Sequence, residues 1–184
     1  MAVAAGGDHS CAISDSGTLQ CWGGTLDGQT SPPSGAFVSL DPGMAGNPHS
    51  CALDAGGSVQ CWGYGGHGQT AAPAEAFSAV SAGGSHSCGI LAGGAVSCWG
   101  NDFRGQSTPP AGTFVAVDAG EEQTCGIESS GALRCWGWDD VGQASSPSGS
   151  FVSVSAGTFH TCGIDTGGAI TCWGSDEFEQ STVP

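Results

Sequence analysis

Hydrophobic residues along this chain come in short bursts separated by small and polar residues. Phe114-Val115-Ala116-Val117 and Phe151-Val152-Ser153-Val154 alternate at period two, the pattern of a half-buried strand. The bursts recur in a fixed frame. Each repeat reads as a Phe-Val-x-Val-x-Ala-Gly strand, a His-Ser/Thr-Cys-Gly/Ala-Ile strand, a turn and an x-x-Cys-Trp-Gly strand. Four variable residues, Gly-Gln and a Pro-containing link complete it. The cysteines mark the phase at 11 and 21, 51 and 61, 88 and 98, 125 and 135, and 162 and 172. Members of a pair are therefore ten apart, and successive pairs begin 40, 37, 37 and 37 residues on. This divides the chain into five repeats of one domain, near 1–36, 37–76, 77–113, 114–150 and 151–184. The longer first interval places a three-residue loop insertion in Asp41-Pro42-Gly43-Met44-Ala45-Gly46-Asn47-Pro48.

The midpoint of each cysteine pair is a residue (Ser16, Gly56, Gly93, Ser130, Gly167), which predicts a three-residue hairpin loop. The third loop residue then takes the left-handed conformation, and it is Gly17, Gly57, Gly94, Gly131 or Gly168 in every case. With that turn, the two cysteines of a pair stand directly opposite one another. The ladder alternation puts them in the close, non-hydrogen-bonded kind of pair, where a disulfide forms without bending the backbone.

Composition narrows the class. The 184 residues include 34 Gly and 9 Pro, both poor helix formers, so long helices are disfavoured and an all-β fold is expected. Only two residues are basic, Arg104 and Arg134, against 17 Asp and Glu, for a formal charge of −15. Such a chain cannot neutralise a phosphate backbone, which excludes nucleic acid as a partner. It gains nothing from anionic lipid, and it has no apolar run near the roughly 18 residues that span a bilayer, so no membrane insertion is expected. Met1–Gly6 has neither a basic nor a long apolar region, so an exported form would carry its signal elsewhere.

Five evenly placed cysteine pairs read as an oxidised framework: Cys11, Cys21, Cys51, Cys61, Cys88, Cys98, Cys125, Cys135, Cys162 and Cys172, one disulfide per repeat. That points to a secreted or extracytoplasmic setting. The competing metal reading, from His9-x-Cys11, His49-x-Cys51, His86-x-Cys88 and His160-x-Cys162, lacks the tight cysteine knuckle of zinc sites, and Gln123 replaces His in the fourth repeat. The histidines are read instead as structural hydrogen-bonding groups inside each repeat, and Trp22, Trp62, Trp99, Trp136 and Trp173 as core. Asp139-Asp140 and Asp176-Glu177 do not form a calcium loop of recognised spacing. No nucleophile elbow, zinc-protease helix or phosphate loop is present and there is no Lys, so no catalytic residue, enzyme activity or cofactor is expected.

His86-Ser87-Cys88, Gly94, Trp99-Gly100-Asn101 and Gly105-Gln106 closely resemble the regulator of chromosome condensation repeat, a β-propeller blade module. The resemblance runs through almost the whole chain, and the period of 37 is similar to the compact, disulfide-bearing bacterial version. It implies a β-propeller of about five short antiparallel blades. Nuclear members of that family act on a small GTPase and bind chromatin, and a disulfide-rich chain of charge −15 suits neither role. Family rings commonly have seven blades, and the last repeat here has Glu179-Gln180 in place of Gly-Gln. Three arrangements stay open: a five-bladed ring closed by pairing the N-terminal strand with the last hairpin, a piece of a longer array, or a unit completed by other copies. Unpaired edges would make the chain a self-assembling subunit of a fibre, a larger ring or another homo-oligomer.

Function is expected where the repeats disagree, since packing fixes the scaffold and loops are free to differ. The disagreement follows each Cys-Trp-Gly, at Gly24–Asp27, Tyr64–His67, Asn101–Arg104, Trp138–Val141 and Ser175–Phe178. The resemblance places these loops on one face. The candidate binding residues are Tyr64, His67, Asp102, Phe103, Arg104, Trp138, Asp139, Asp140, Asp176, Glu177 and Phe178, a mixture that suits a protein or glycan partner.

Overall fold

A computed structural model describes residues 1–44 and 46–184, and its regular structure is entirely β. The first sheet holds β1 (Ala2–Ala5), β2 (His9–Ile13) and β3 (Leu19–Gly23), and the second β4 (Phe37–Pro42), β5 (His49–Asp54) and β6 (Val59–Gly63). The third holds β7 (Phe77–Ala82), β8 (His86–Leu91) and β9 (Val96–Gly100), and the fourth β10 (Phe114–Ala119), β11 (Gln123–Glu128) and β12 (Leu133–Gly137). The fifth holds β13 (Phe151–Ala156), β14 (His160–Asp165) and β15 (Ile170–Gly174). Every sheet is an antiparallel meander in chain order, so the fold is an all-β propeller of five three-stranded blades.

Each blade carries its disulfide where the hairpin register puts it. Cys11 faces Cys21 and Cys88 faces Cys98, with Cα atoms 4.0–4.2 Å apart in all five pairs. The register follows from the turn: Ser14 N donates to Thr18 O, Gly17 N donates to Ser14 O, and Gly17 has φ 82°. The same left-handed geometry recurs in the Gly-Gln turn, at Gly28, Gly68, Gly105 and Gly142. At the fifth it falls on Glu179, with φ 63°, a conformation that costs a non-glycine residue about 1 kcal/mol.

The core lies between blades. Cys11, Ile13 and Leu19 of the first sheet pack on Phe37, Ala52 and Trp62 of the second, and Cys51, Leu53 and Val59 pack likewise on Phe77, Val80 and Trp99. Polar groups cross the same layers. The indole N–H of Trp62 donates to Gln29 O at 2.8 Å, and Trp99, Trp136 and Trp173 repeat the bond to Gln69 O, Gln106 O and Gln143 O. Three histidines reach across to the next blade: His9 bonds Ser50 Oγ at 2.6 Å, His49 Nε2 bonds Ser87 Oγ while its Nδ1 meets Asn47 O of its own blade, and His86 Nε2 bonds Thr124 Oγ1, whose hydroxyl proton goes to Gln106 O. Where the fourth repeat has glutamine, the Gln123 amide donates to Gly157 O at 2.8 Å.

Three sequence expectations need adjusting. Asp41 and Pro42 belong to β4, so the extra loop residues lie within 43–48, of which Ala45 is outside the described residues. β1 pairs with β2 of its own blade and not with the last hairpin. Trp22 is 51% exposed, because among the described residues no other sheet packs over it. At the far side Ile164 and Ile170 of the fifth blade are likewise uncovered, whereas their counterparts Ile127 and Leu133 are buried.

Candidate interaction surface

Each strand pair enters and leaves the loop end of a blade at two places. The turn before the second strand is tied to the loop after the third: Gly24 N donates to Asp8 O, Tyr64 N to Pro48 O, Asn101 N to Ser85 O, Trp138 N to Glu122 O and Ser175 N to Phe159 O. The face therefore has two rings of variable positions. The five outer loops are each braced from below by a glutamine, buried in the first four blades and half-buried in the fifth. Gln29, Gln69, Gln106 and Gln143 accept the backbone N–H of Asp27, His67, Arg104 and Val141 through Oε1, and Gln180 accepts that of Phe178.

On this frame the loop tips project apolar side chains. Leu26 is 97% exposed, Phe103 89% and Phe178 85%. Between them lies a small aromatic cluster: Trp138 meets Phe159 edge-on with ring centroids 5.5 Å apart, and the Arg104 guanidinium sits 5.5 Å from the Trp138 ring centre. Glu122 lies 3.8 Å from Arg104, so the one cation of this face is shared between an aromatic ring and a carboxylate. Tyr64 and His67 form a separate tilted pair 6.1 Å apart, and His67 shares a shallow cavity of about 360 Å³ with Asn101, Asp102 and Phe103.

The acidic candidates divide into two sets. Asp102 accepts bonds from Ser107 N and Thr108 Oγ1, Asp139 from Ala144 N and Ser145 Oγ, and Asp176 from Ser181 N and Thr182 Oγ1. These three hold their loops in shape, and the bonds from Thr182 and Ser181 keep the Asp176 carboxyl below its ordinary range. Asp140 and Glu177 stand exposed beside them. The arrangement offers aromatic, apolar and anionic recognition groups on a fixed scaffold. Among the described residues, no group of three or more His, Cys, Asp or Glu has the geometry to hold a metal ion.

A second feature, on the propeller axis, was not expected. A cavity of about 540 Å³ is lined by all five inner strands or their ends, and Asp41 and Asp118 face it. Asp41 Oδ2 accepts from Ala82 N, Ser81 Oγ from Ala119 N, and Asp118 Oδ2 from Ala156 N, linking successive inner strands. At the first junction Ala4 stands where an acceptor would, and its neighbour Pro42 has no N–H to donate. Withdrawal from water raises Asp41 to about 6 and Asp118 to about 7, the latter with a contribution from Asp41.

The family model of the regulator of chromosome condensation (RCC1) repeat matches residues 2–29, 45–69, 77–106 and 151–180, more than half of the chain. The chain belongs to the RCC1 repeat family. The blade that this RCC1-repeat chain builds outside those matches is the fourth, which also carries Gln123 in place of histidine. No curated protein matches it. Among solved structures it is similar to the CRINKLY WD40 ectodomain of the Arabidopsis thaliana receptor kinase ACR4, with 32% identity and a TM-score of 0.75 over 94% of this chain and 62% of that one. The ectodomain of the Physcomitrella patens receptor kinase CR4 is 29% identical, with a TM-score of 0.79 over 97% of this chain and 53% of that chain. Prp20p of Saccharomyces cerevisiae, at 17% identity, 99% and 58% coverage and a TM-score of 0.81, shares the fold. The RCC1-repeat chain thus spans a little over half the length of these structures.

Proposed function

We propose that this chain is a non-catalytic, extracellular β-propeller that binds another macromolecule, a protein or a glycan, through its loop face. The observation that carries this is the near-complete exposure of Phe103 and Phe178 at the tips of braced loops, where burial against a partner would stabilise each by about 1.5–3 kcal/mol. The five disulfides and the likeness to two receptor-kinase ectodomains support an extracellular setting. The yeast propeller's binding to Gsp1p, histones and Kap60 supports a protein partner for the fold, without transferring those partners.

The test is a panel of displayed protein and glycan ligands probed with the intact chain. A ligand it retains is expected to bind about tenfold or more weakly to Phe103→Ala/Phe178→Ala, about 1.4 kcal/mol. Val115→Ala/Val152→Ala, at exposed bulges on the hairpin side, is expected to leave binding unchanged. Equal losses from both pairs, or none from the first, would sink the proposal.

A second reading is favoured by one observation. Trp22 on one side, and Ile164 and Ile170 on the other, are the two uncovered halves of the interface that recurs between blades. Self-assembly through these faces predicts sedimentation above 18 kDa that rises with concentration and reverts in Trp22→Ala. A constant monomer mass up to millimolar concentration excludes it.

A further inference from the structure

The third, fourth and fifth blades differ from the first two in their loops. At one position each they carry Asp102, Asp139 and Asp176, where the first two have Thr25 and Gly65. These carboxylates are fixed by paired loop hydrogen bonds, so their charge is held in place before any partner arrives. Asp140, Glu177 and Glu179 stand exposed in the same arc, and none of the three accepts a side-chain hydrogen bond among the described residues. Their charge has no evident part in holding the loops.

Apolar tips sit inside this negative field. Phe103 follows Asp102, Val141 follows Asp140, and Phe178 stands between Glu177 and Glu179. The chain cannot neutralise the arc itself: Arg104 is engaged by Glu122 and Trp138, and Arg134 bonds Glu128 at 2.8 Å at the hairpin end. An uncompensated anionic rim around protruding aromatic side chains complements one kind of surface, an apolar groove or stripe flanked by Lys and Arg. Opposite charge steers such a partner in, and like charge excludes acidic ones.

Resting on the loop-face reading, we infer that the loops of the third to fifth blades bind a basic, apolar-striped polypeptide, with Phe103 and Phe178 entering its apolar stripe and the carboxylate arc pairing its cations. Nucleic acid and anionic lipid are repelled by the same field, and neutral glycan would leave the arc unpaired.

The probe is a fluorescein-labelled 14-residue amphipathic peptide of Lys and Leu, compared with its Glu and Leu counterpart and with a neutral oligosaccharide, cellohexaose. Anisotropy is measured with the intact chain at low salt and at high salt. The Lys/Leu peptide is expected to bind, and to lose at least about tenfold with Phe103→Ala/Phe178→Ala, which leaves charge unchanged. Asp140→Asn/Glu177→Gln/Glu179→Gln is expected to cost a similar factor and to flatten the salt dependence. Asp15→Asn/Asp54→Asn/Asp165→Asn removes the same charge at the hairpin end and is expected to cost less than about twofold. Unfolding midpoints of all three variants verify that each is folded. Equal weakening by the two charge sets means attraction by net charge alone and overturns the inference. Phenylalanine-dependent binding of the Glu/Leu peptide or of cellohexaose overturns it while leaving the loop-face reading standing. Binding indifferent to both phenylalanines overturns the inference and counts against that reading as well.

Discussion

Reduction of the five disulfides is expected to unfold the protein outright. Each closes a loop with a sequence separation of 10, and the chain-entropy estimate for such a loop is about 2.7 kcal/mol. The combined effect rivals the roughly 5–15 kcal/mol of net stability of an ordinary domain. No alternative core compensates, because the apolar layers lie between blades only a few side chains thick and each includes the disulfide itself. Since loop length is the same in all five, differences among single deletions report the native surroundings. Cys88→Ala/Cys98→Ala, with Cys88 fully buried against its neighbours, is expected to cost about 3–5 kcal/mol in urea unfolding. Cys162→Ala/Cys172→Ala, in the blade uncovered on one side, is expected to cost less. Timed thiol labelling under mild reductant should find Cys162 and Cys172 first, as the pair most open to solvent. A cooperative, unchanged transition in the fully reduced chain would refute this account.

The same regularity decided what was legible from sequence. Cysteines ten apart around a left-handed glycine force one hairpin register, and that register carries the strands, the disulfides and the loop face with it. Features that join one blade to the next were harder to see, because one repeat read alone does not contain both partners. His86 looked like a group of its own blade, yet its hydrogen-bond acceptor is Thr124, one period away. The axial links were hidden further, since one position is filled by Ala4, Asp41, Ser81, Asp118 and Ser155, which share no chemistry as a set. The signal was a mutual one, Ala4 lacking an acceptor beside Pro42 lacking a donor. At the loop face, the residues after Cys-Trp-Gly form only one of two rings, and Asp8, Pro48, Ser85, Glu122 and Phe159, which directly precede the histidine position, form the second. That variability was visible in the sequence, and Phe159, the partner of Trp138, was its clearest member.

Those hidden links govern the expected response to pH. Burial lowers His49 to about 4 and His86 to about 3, and protonation of His86 would put a second N–H on Nδ1, which has no acceptor. These pKa values lie below the ordinary 6.5 of an unfolded chain. Their contribution is therefore complete above pH 6.5 and is lost as pH falls toward 4 and 3. Asp41 and Asp118, raised to about 6 and 7, act in the opposite sense: their contribution is complete below 3.8 and is lost as pH rises through 6 to 7. Between roughly pH 4 and 6.5 the two slopes oppose, so the native chain should show a shallow stability profile there. Substitution on either side should expose the other. His86→Gln copies the fourth blade, where the Gln123 amide reaches Gly157 O, and the equivalent acceptor is Gly120 O. It is expected to be neutral at pH 8 and to raise stability by about 2 kcal/mol at pH 4.5. Asp118→Asn keeps an acceptor for Ala156 N and removes the buried charge, so it should stabilise at pH 8 by about 1–2 kcal/mol, allowing for solvent in the axial cavity, and do little at pH 4. Urea midpoints at pH 4.5, 6 and 8 measure all of this. A stability gain for His86→Gln that appears at pH 8 instead of pH 4.5 would show that packing, not the proton, sets its contribution.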